Sequence, residues 1–233
     1  MPRADVAASP EELVQRAAVL ALLARLLGRD PSWLLDGHSL DDLRGGLVAL
    51  DDARALSALA TLDPPRPSDR EALERGWVRW FDQGRVPPYE CSNTVMSAGG
   101  HTAPLADIAG FYRAFGVRAR GDRPDHVVAE LEFAAHVTLA EALARTEGRD
   151  DDAGIAADAA RTFLRDHLGR WLDAWAARVT GIDPPVVWAP LAAVAAAVVG
   201  SEARRRNVVI VHTERAFLLD DDLPDDAPDL ECG

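Results

Sequence analysis

Apolar residues recur with a helical period along most of this chain. Between Glu11 and Leu27 they fall at Leu13, Ala17, Leu20, Ala24 and Leu27, a spacing that lines one helix face. Ser9 and Pro10 suit the start of that helix and Gly28 its end. Asp41 to Leu62 reads as one or two short helices, the first weakened by Gly45 and Gly46. Pro64, Pro65 and Pro67 interrupt the chain, and Ser68 is expected to cap a helix carrying Trp77, Trp80 and Phe81. Gln83 to Pro104 has no period and holds Gly84, Pro87, Pro88, Gly99 and Gly100, so it is predicted irregular. Irregular runs of this length inside a compact domain usually serve function. Leu105 to Phe115 resumes the helical pattern, and Pro124 opens another helix that runs to about Thr146. After a polar break from Gly148 to Asp152, a long helix is predicted from Ala156 to Val179, and an apolar one from Pro185 to Glu202. Val208 to Val211 is the one β-like run, too short to found a sheet. The pattern predicts a single all-α domain of eight or nine helices over residues 1–219. Asp220 to Gly233, with seven acids and no base, is expected to be a solvated, mobile tail.

Composition narrows the setting. The 233 residues are 48% hydrophobic and 27% charged, enough for a substantial core without covalent staples. Cys91 and Cys232 are the only cysteines, which offers no disulfide framework and points to a reducing compartment. The start of the chain lacks the basic and apolar regions of a secretory signal. The longest uncharged run begins at Pro184, is interrupted by Pro190, and falls short of the ~20 residues that span a bilayer. A cytoplasmic location without membrane insertion follows as the expectation. The net charge is −13 and arginine supplies every fixed positive side chain, since there is no lysine. Such a field repels nucleic acid and anionic membrane and attracts a cationic partner.

Enzyme chemistry finds little support. Without lysine there is no phosphate-loop lysine and no Schiff base, and Gly99-Gly100 follows no strand. A small helical enzyme using Cys91, with His101 or His126 as base, is the remote alternative. His126, Glu130, Glu132 and His136 offer donor atoms, but on two different helix faces, so neither a metal nor any other cofactor is expected. Two other features stand out. Trp77, Trp80 and Phe81 share one helix face, read either as core or as a groove wall for an apolar segment of a partner. His126 and Glu130, four apart behind Pro124 and Asp125, read as a capped helix start with an exposed pair.

At these residues the chain resembles a known family. Pro87-Pro88-Tyr89-Glu90, then Leu105 to Gly116, then Arg123-Pro124-Asp125-His126 through Phe133, follow the order seen in the TorD/DmsD/NarJ family. Asp166-His167-Leu168 and Trp171 resemble its later helix. Members of that family are non-catalytic assembly chaperones of molybdenum-containing oxidoreductases. The resemblance implies binding of the apo catalytic subunit, in many members through its N-terminal twin-arginine leader, until cofactor insertion. A leaderless, cytoplasm-facing client of the nitrate reductase type is the alternative. The resemblance assigns client binding to Asp125, His126, Glu130, Tyr89 and Glu90, with Trp77, Trp80 and Phe81 as the apolar wall. Such chaperones occur as monomers or dimers.

Overall fold

The computed structural model describes residues 8–84, 86–94, 100–119, 121, 123–183 and 186–212. Among them lie eleven α-helices and no strand, which bears out the all-α expectation. These are α1 (Pro10–Leu26), α2 (Ser32–Leu35), α3 (Ser39–Ala49), α4 (Ala53–Leu59), α5 (Arg70–Trp77), α6 (Glu90–Asn93), α7 (Thr102–Ala114), α8 (Val127–Thr146), α9 (Asp150–Asp166), α10 (Leu168–Thr180) and α11 (Trp188–Arg205). Among the described residues no helix is long and apolar enough to cross a membrane. The acidic tail lies outside the described residues.

α8 is the central post, with α1 on one side and α9 on the other; α11 packs on α10, α4 and α1. Leu20, Leu23 and Leu27 on the α1 side and Val127, Leu131 and Val137 of α8 are buried in one cluster with Trp171, Trp175 and Leu191. Each fully buried side chain of this kind contributes about 1.5–3 kcal/mol over an exposed one. Gly46, read from sequence as a weak point of α3, is instead what lets α3 approach α1. A Cβ there would sit 2.7 Å from Val19 Cγ2 and 2.8 Å from Gln15 Nε2.

The sequence pattern locates α1, α7 and α11 well, and Asp41–Leu62 resolves into α3 and α4. Four details differ. Ser68 lies inside a short 3-10 turn, and the cap there comes from Asp69, whose carboxylate accepts from the Arg66 N–H at 2.8 Å. α9 starts at Asp150, within the expected break, because three aspartates occupy its first turn and favour the positive helix end. The helix predicted from Ala156 to Val179 is two helices, broken at His167, whose φ of −127° and ψ of −101° leave the helical region. Finally, the stretch predicted irregular contains α6, and α8 begins at Val127 rather than at Pro124. α5 runs on through a π-helical turn, Val78–Asp82, which turns Trp77 and Phe81 into the core and leaves Trp80 half-buried.

Candidate functional site

The segment from Pro87 to Asn93 is fastened to the start of α8. Tyr89 and His126 form an antiparallel bridge in which Glu90 N–H donates to the Asp125 carbonyl and Val127 N–H to the Pro88 carbonyl, both at 2.9 Å. This pairing keeps Asp125 and His126 out of the helix and explains its later start. His126 is the N-cap: its Nδ1 accepts from Val128 N–H at 3.1 Å, so the neutral ring carries its proton on Nε2. Asn93 Nδ2 donates to the Pro87 and Tyr89 carbonyls, and Arg178 of α10 donates to Asn93 Oδ1 at 2.6 Å. Tyr112 of α7 donates to the Pro124 carbonyl at 2.7 Å. Four elements therefore converge on one short bridge.

Three carboxylates meet beneath it, and all are buried. Asp125 is 0% exposed. Its oxygens accept two bonds from Arg123, Nε at 2.9 Å and Nη2 at 2.7 Å, and one from Cys91 N–H at 3.2 Å. Glu130 is also 0% exposed, and Trp171 Nε1–H donates to its Oε2 at 3.0 Å. Burial first, then the charge of Glu90, raise Glu130 well above the ordinary carboxylate range, against the lowering effect of the Trp171 bond. Glu90 faces His167 Nδ1 at 3.1 Å, and His167 Nε2 reaches Asp107 at 3.2 Å. His167 breaks the helix to stand between these two acids. A cleft of about 580 Å³ opens beside it, lined by Glu90, Cys91, His101, Asp107, Asp166 and Arg170 among others.

The site residues named from sequence thus separate by depth. Tyr89, Glu90, Asp125, His126 and Glu130 do come together, but Glu90, Asp125 and Glu130 face inward. The His126–Glu130 pair expected on the surface does not form, since Glu130 turns to Trp171. Burial, partly opposed by the charge of Asp125, pushes His126 down to about 4, so it is neutral at physiological pH. Trp77 and Phe81 are core residues, stacked with each other at 4.5 Å and edge-on to Trp188. Half-buried Tyr89 and Trp80 remain within reach of a ligand. Arg123 also lies at this surface, with its guanidinium 4.1 Å over the Tyr89 ring. Burial first, then Asp125, push the Cys91 thiol up to about 12, so it is no thiolate near neutrality. Among the described residues no three His, Cys, Asp or Glu side chains are grouped to hold a metal.

Sequence reasoning missed Arg123, Asp107, His167 and Trp171 as members of this assembly. The Asp166-His167 and Trp171 pattern was the available signal, but nothing in it says which residues it faces.

Comparison with known proteins places the assembly in context. Residues 46–177 match the family described as nitrate reductase delta subunit. The chain is 36% identical over 129 residues to the chlorate reductase assembly chaperone protein of Ideonella dechloratans, covering 52% of this chain and 64% of that protein. It is 33% identical over 168 residues to the dimethyl sulfide dehydrogenase assembly chaperone protein of Rhodovulum sulfidophilum, covering 61% and 65%. It is 35% identical over 140 residues to the selenate reductase assembly chaperone protein of Thauera selenatis, covering 57% and 70%. The match spans somewhat less than two thirds of the first two relatives.

Proposed function

The chain belongs to the nitrate reductase delta subunit family, and on that premise we propose that it is an assembly chaperone for the catalytic subunit of a molybdenum-containing oxidoreductase. It binds the apo subunit in the cytoplasm, at the N-terminal twin-arginine leader, and holds it until its cofactor is inserted. It performs no reaction of its own. One observation carries this reading: the family match encloses the whole convergence of Tyr89, Asp125, His126, Glu130 and Trp171, and three relatives carry the name assembly chaperone.

The chemistry of the surface agrees. A twin-arginine leader presents cations followed by an apolar stretch. Tyr89 and Trp80 offer aromatic surface, Asp125 lies directly behind Tyr89, and a net charge of −13 draws cations toward the protein. Glu90 and Glu130 act from below by fixing the bridge, and Trp77 and Phe81 by fixing the helix that bears Trp80. A peptide with two adjacent arginines followed by an apolar stretch should bind the wild type, and bind Asp125→Asn about tenfold more weakly, a loss of about 1.4 kcal/mol. Equal binding removes Asp125 from the site. No binding to the wild type removes the leader role.

A second reading is favoured by the family description itself, which names a nitrate reductase subunit. Here the client has no leader and faces the cytoplasm. Co-purification of the catalytic subunit after deletion of its N-terminal segment would select this reading, and loss of co-purification would select the first.

A further inference from the structure

Asp125 is a carboxylate that the fold surrounds completely. Its backbone is fixed by the bridge to Glu90 and by the Tyr112 bond to Pro124. Cys91 N–H holds Oδ2 from within. From the partly exposed side, both oxygens are met by the guanidinium of Arg123. That group makes two contacts characteristic of arginine: a paired fork to both oxygens and a position over the face of the Tyr89 ring. Arg123 itself is held differently. Its side chain is 41% exposed, and it stands only two residues from Asp125, in the segment ahead of α8. Arg123 lies outside every helix, whereas the backbone at Asp125 and Tyr89 is held by the bridge.

We propose that Asp125 and Tyr89 form an exchangeable guanidinium site, in which Arg123 is a resident stand-in for an arginine side chain of the bound partner. Binding swaps one guanidinium for the other, so Asp125 is never left buried and unpaired, the arrangement that costs a protein most. The site selects arginine over lysine, because an ammonium cannot make the paired fork or the planar stack. Arg123 also weakens the partner's apparent affinity, since it occupies the binding-competent site. That suits a chaperone which must release its client. The identity of the partner rests on the client-binding reading above; the exchangeable site does not.

Two measurements test this separately. In the first, Arg123→Ala, Arg123→Gln and the double variant Arg123→Ala/Asp125→Asn are melted with ethylguanidinium or ethylammonium at equal ionic strength. Ethylguanidinium should raise the melting temperature of Arg123→Ala, or restore its fold if it is lost, and should do so far more than ethylammonium. Wild type and the double variant should show no such selectivity. Equal effects of the two cations on Arg123→Ala overturn the proposal. In the second, the Arg-Arg peptide and its Lys-Lys counterpart are titrated into wild type and Arg123→Gln. The Arg-Arg peptide should bind Arg123→Gln about tenfold more tightly than wild type, with little gain for Lys-Lys. Unchanged or weaker binding overturns the stand-in role. If neither protein binds either peptide, the client reading fails, and the ethylguanidinium result alone decides the site.

Discussion

Two buried polar networks lie on opposite parts of α8 and differ in charge balance. Toward its C-terminal half, Arg16 of α1 pairs with Glu202 of α11 through two bonds of 2.7 and 2.5 Å, and Arg206 pairs with Glu141 at 2.8 Å. Arg145 adds a further bond to Glu141. Every acid there has a guanidinium. Burial alone would push Glu141 up, but the charge and bonds of Arg206 and Arg145 hold it below the ordinary range. Under the N-terminal half, among the described residues, Arg123 pairs with Asp125 and His167 with Glu90, while Glu130 accepts from Trp171. There burial wins, and Glu130 is raised. A balanced network fastens three helices. The acid-rich one disfavours the charged form of a buried carboxyl and leaves the Arg123 guanidinium at the surface.

Breaking the balanced network should have the largest effect. Arg16→Ala removes both short bonds to buried Glu202, leaving it the longer contacts of Arg205 at 3.6 Å and Arg206 at 3.5 Å, and should cost about 3 kcal/mol in urea unfolding, whereas Arg16→Met with Glu202→Leu should cost far less. The second effect is acid sensitivity at the bridge. His126 has a folded value near 4 against an ordinary 6.5, so its contribution is complete above pH 6.5 and fades as pH falls toward 4. Stability should drop by up to about 3 kcal/mol across that window, and His126→Ser, which keeps a cap, should flatten the drop measured by denaturation at pH 7 and pH 5. Third, the two networks should answer unequally to the same substitution. Glu141→Gln removes a paired charge and should destabilise by about 1–3 kcal/mol. Glu130→Gln replaces a carboxyl whose charged form burial disfavours and should cost less than about 1 kcal/mol. The sign follows: a raised carboxyl stabilises below its unfolded value and loses that contribution as pH rises through its folded value, so Glu130→Gln should remove part of the decline in stability above the ordinary carboxylate range. Trp171→Phe deletes one buried donor to Glu130 and should cost about 1–2 kcal/mol by melting, which leaves Glu130→Gln as the smallest effect of the set.

Much of this was legible in the sequence, and what was hidden has a physical reason. α1 is readable because its stripe, Ser9 and Pro10 all agree on its limits. The break at His167 is not, because the apolar period runs through it from Phe163 to Trp171. What interrupts the helix is tertiary: carboxylates from α6 and α7 on either side of the imidazole, and Gly169, where a Cβ would meet Ile210 Cδ1 at 2.6 Å. The four residues of α6 are too few to show a period. At the candidate site, Tyr89, Glu90, Asp125, His126 and Glu130 were visible as a motif, but their depth was not. Burial of Glu130 is decided by Trp171, and burial of Trp77 by Trp188, both on helices far along the chain.

The pair between Arg16 and Glu202 joins residues 186 positions apart, the first long helix to the last. During synthesis α1 leaves the ribosome with its arginine and its leucine face long before α8 and α11 exist to receive them. The leucine face of α1 can be covered as soon as α3 and α8 have emerged, but its arginine meets no buried acid of α11 until residues near 202 follow, so this ion pair is among the late contacts of folding.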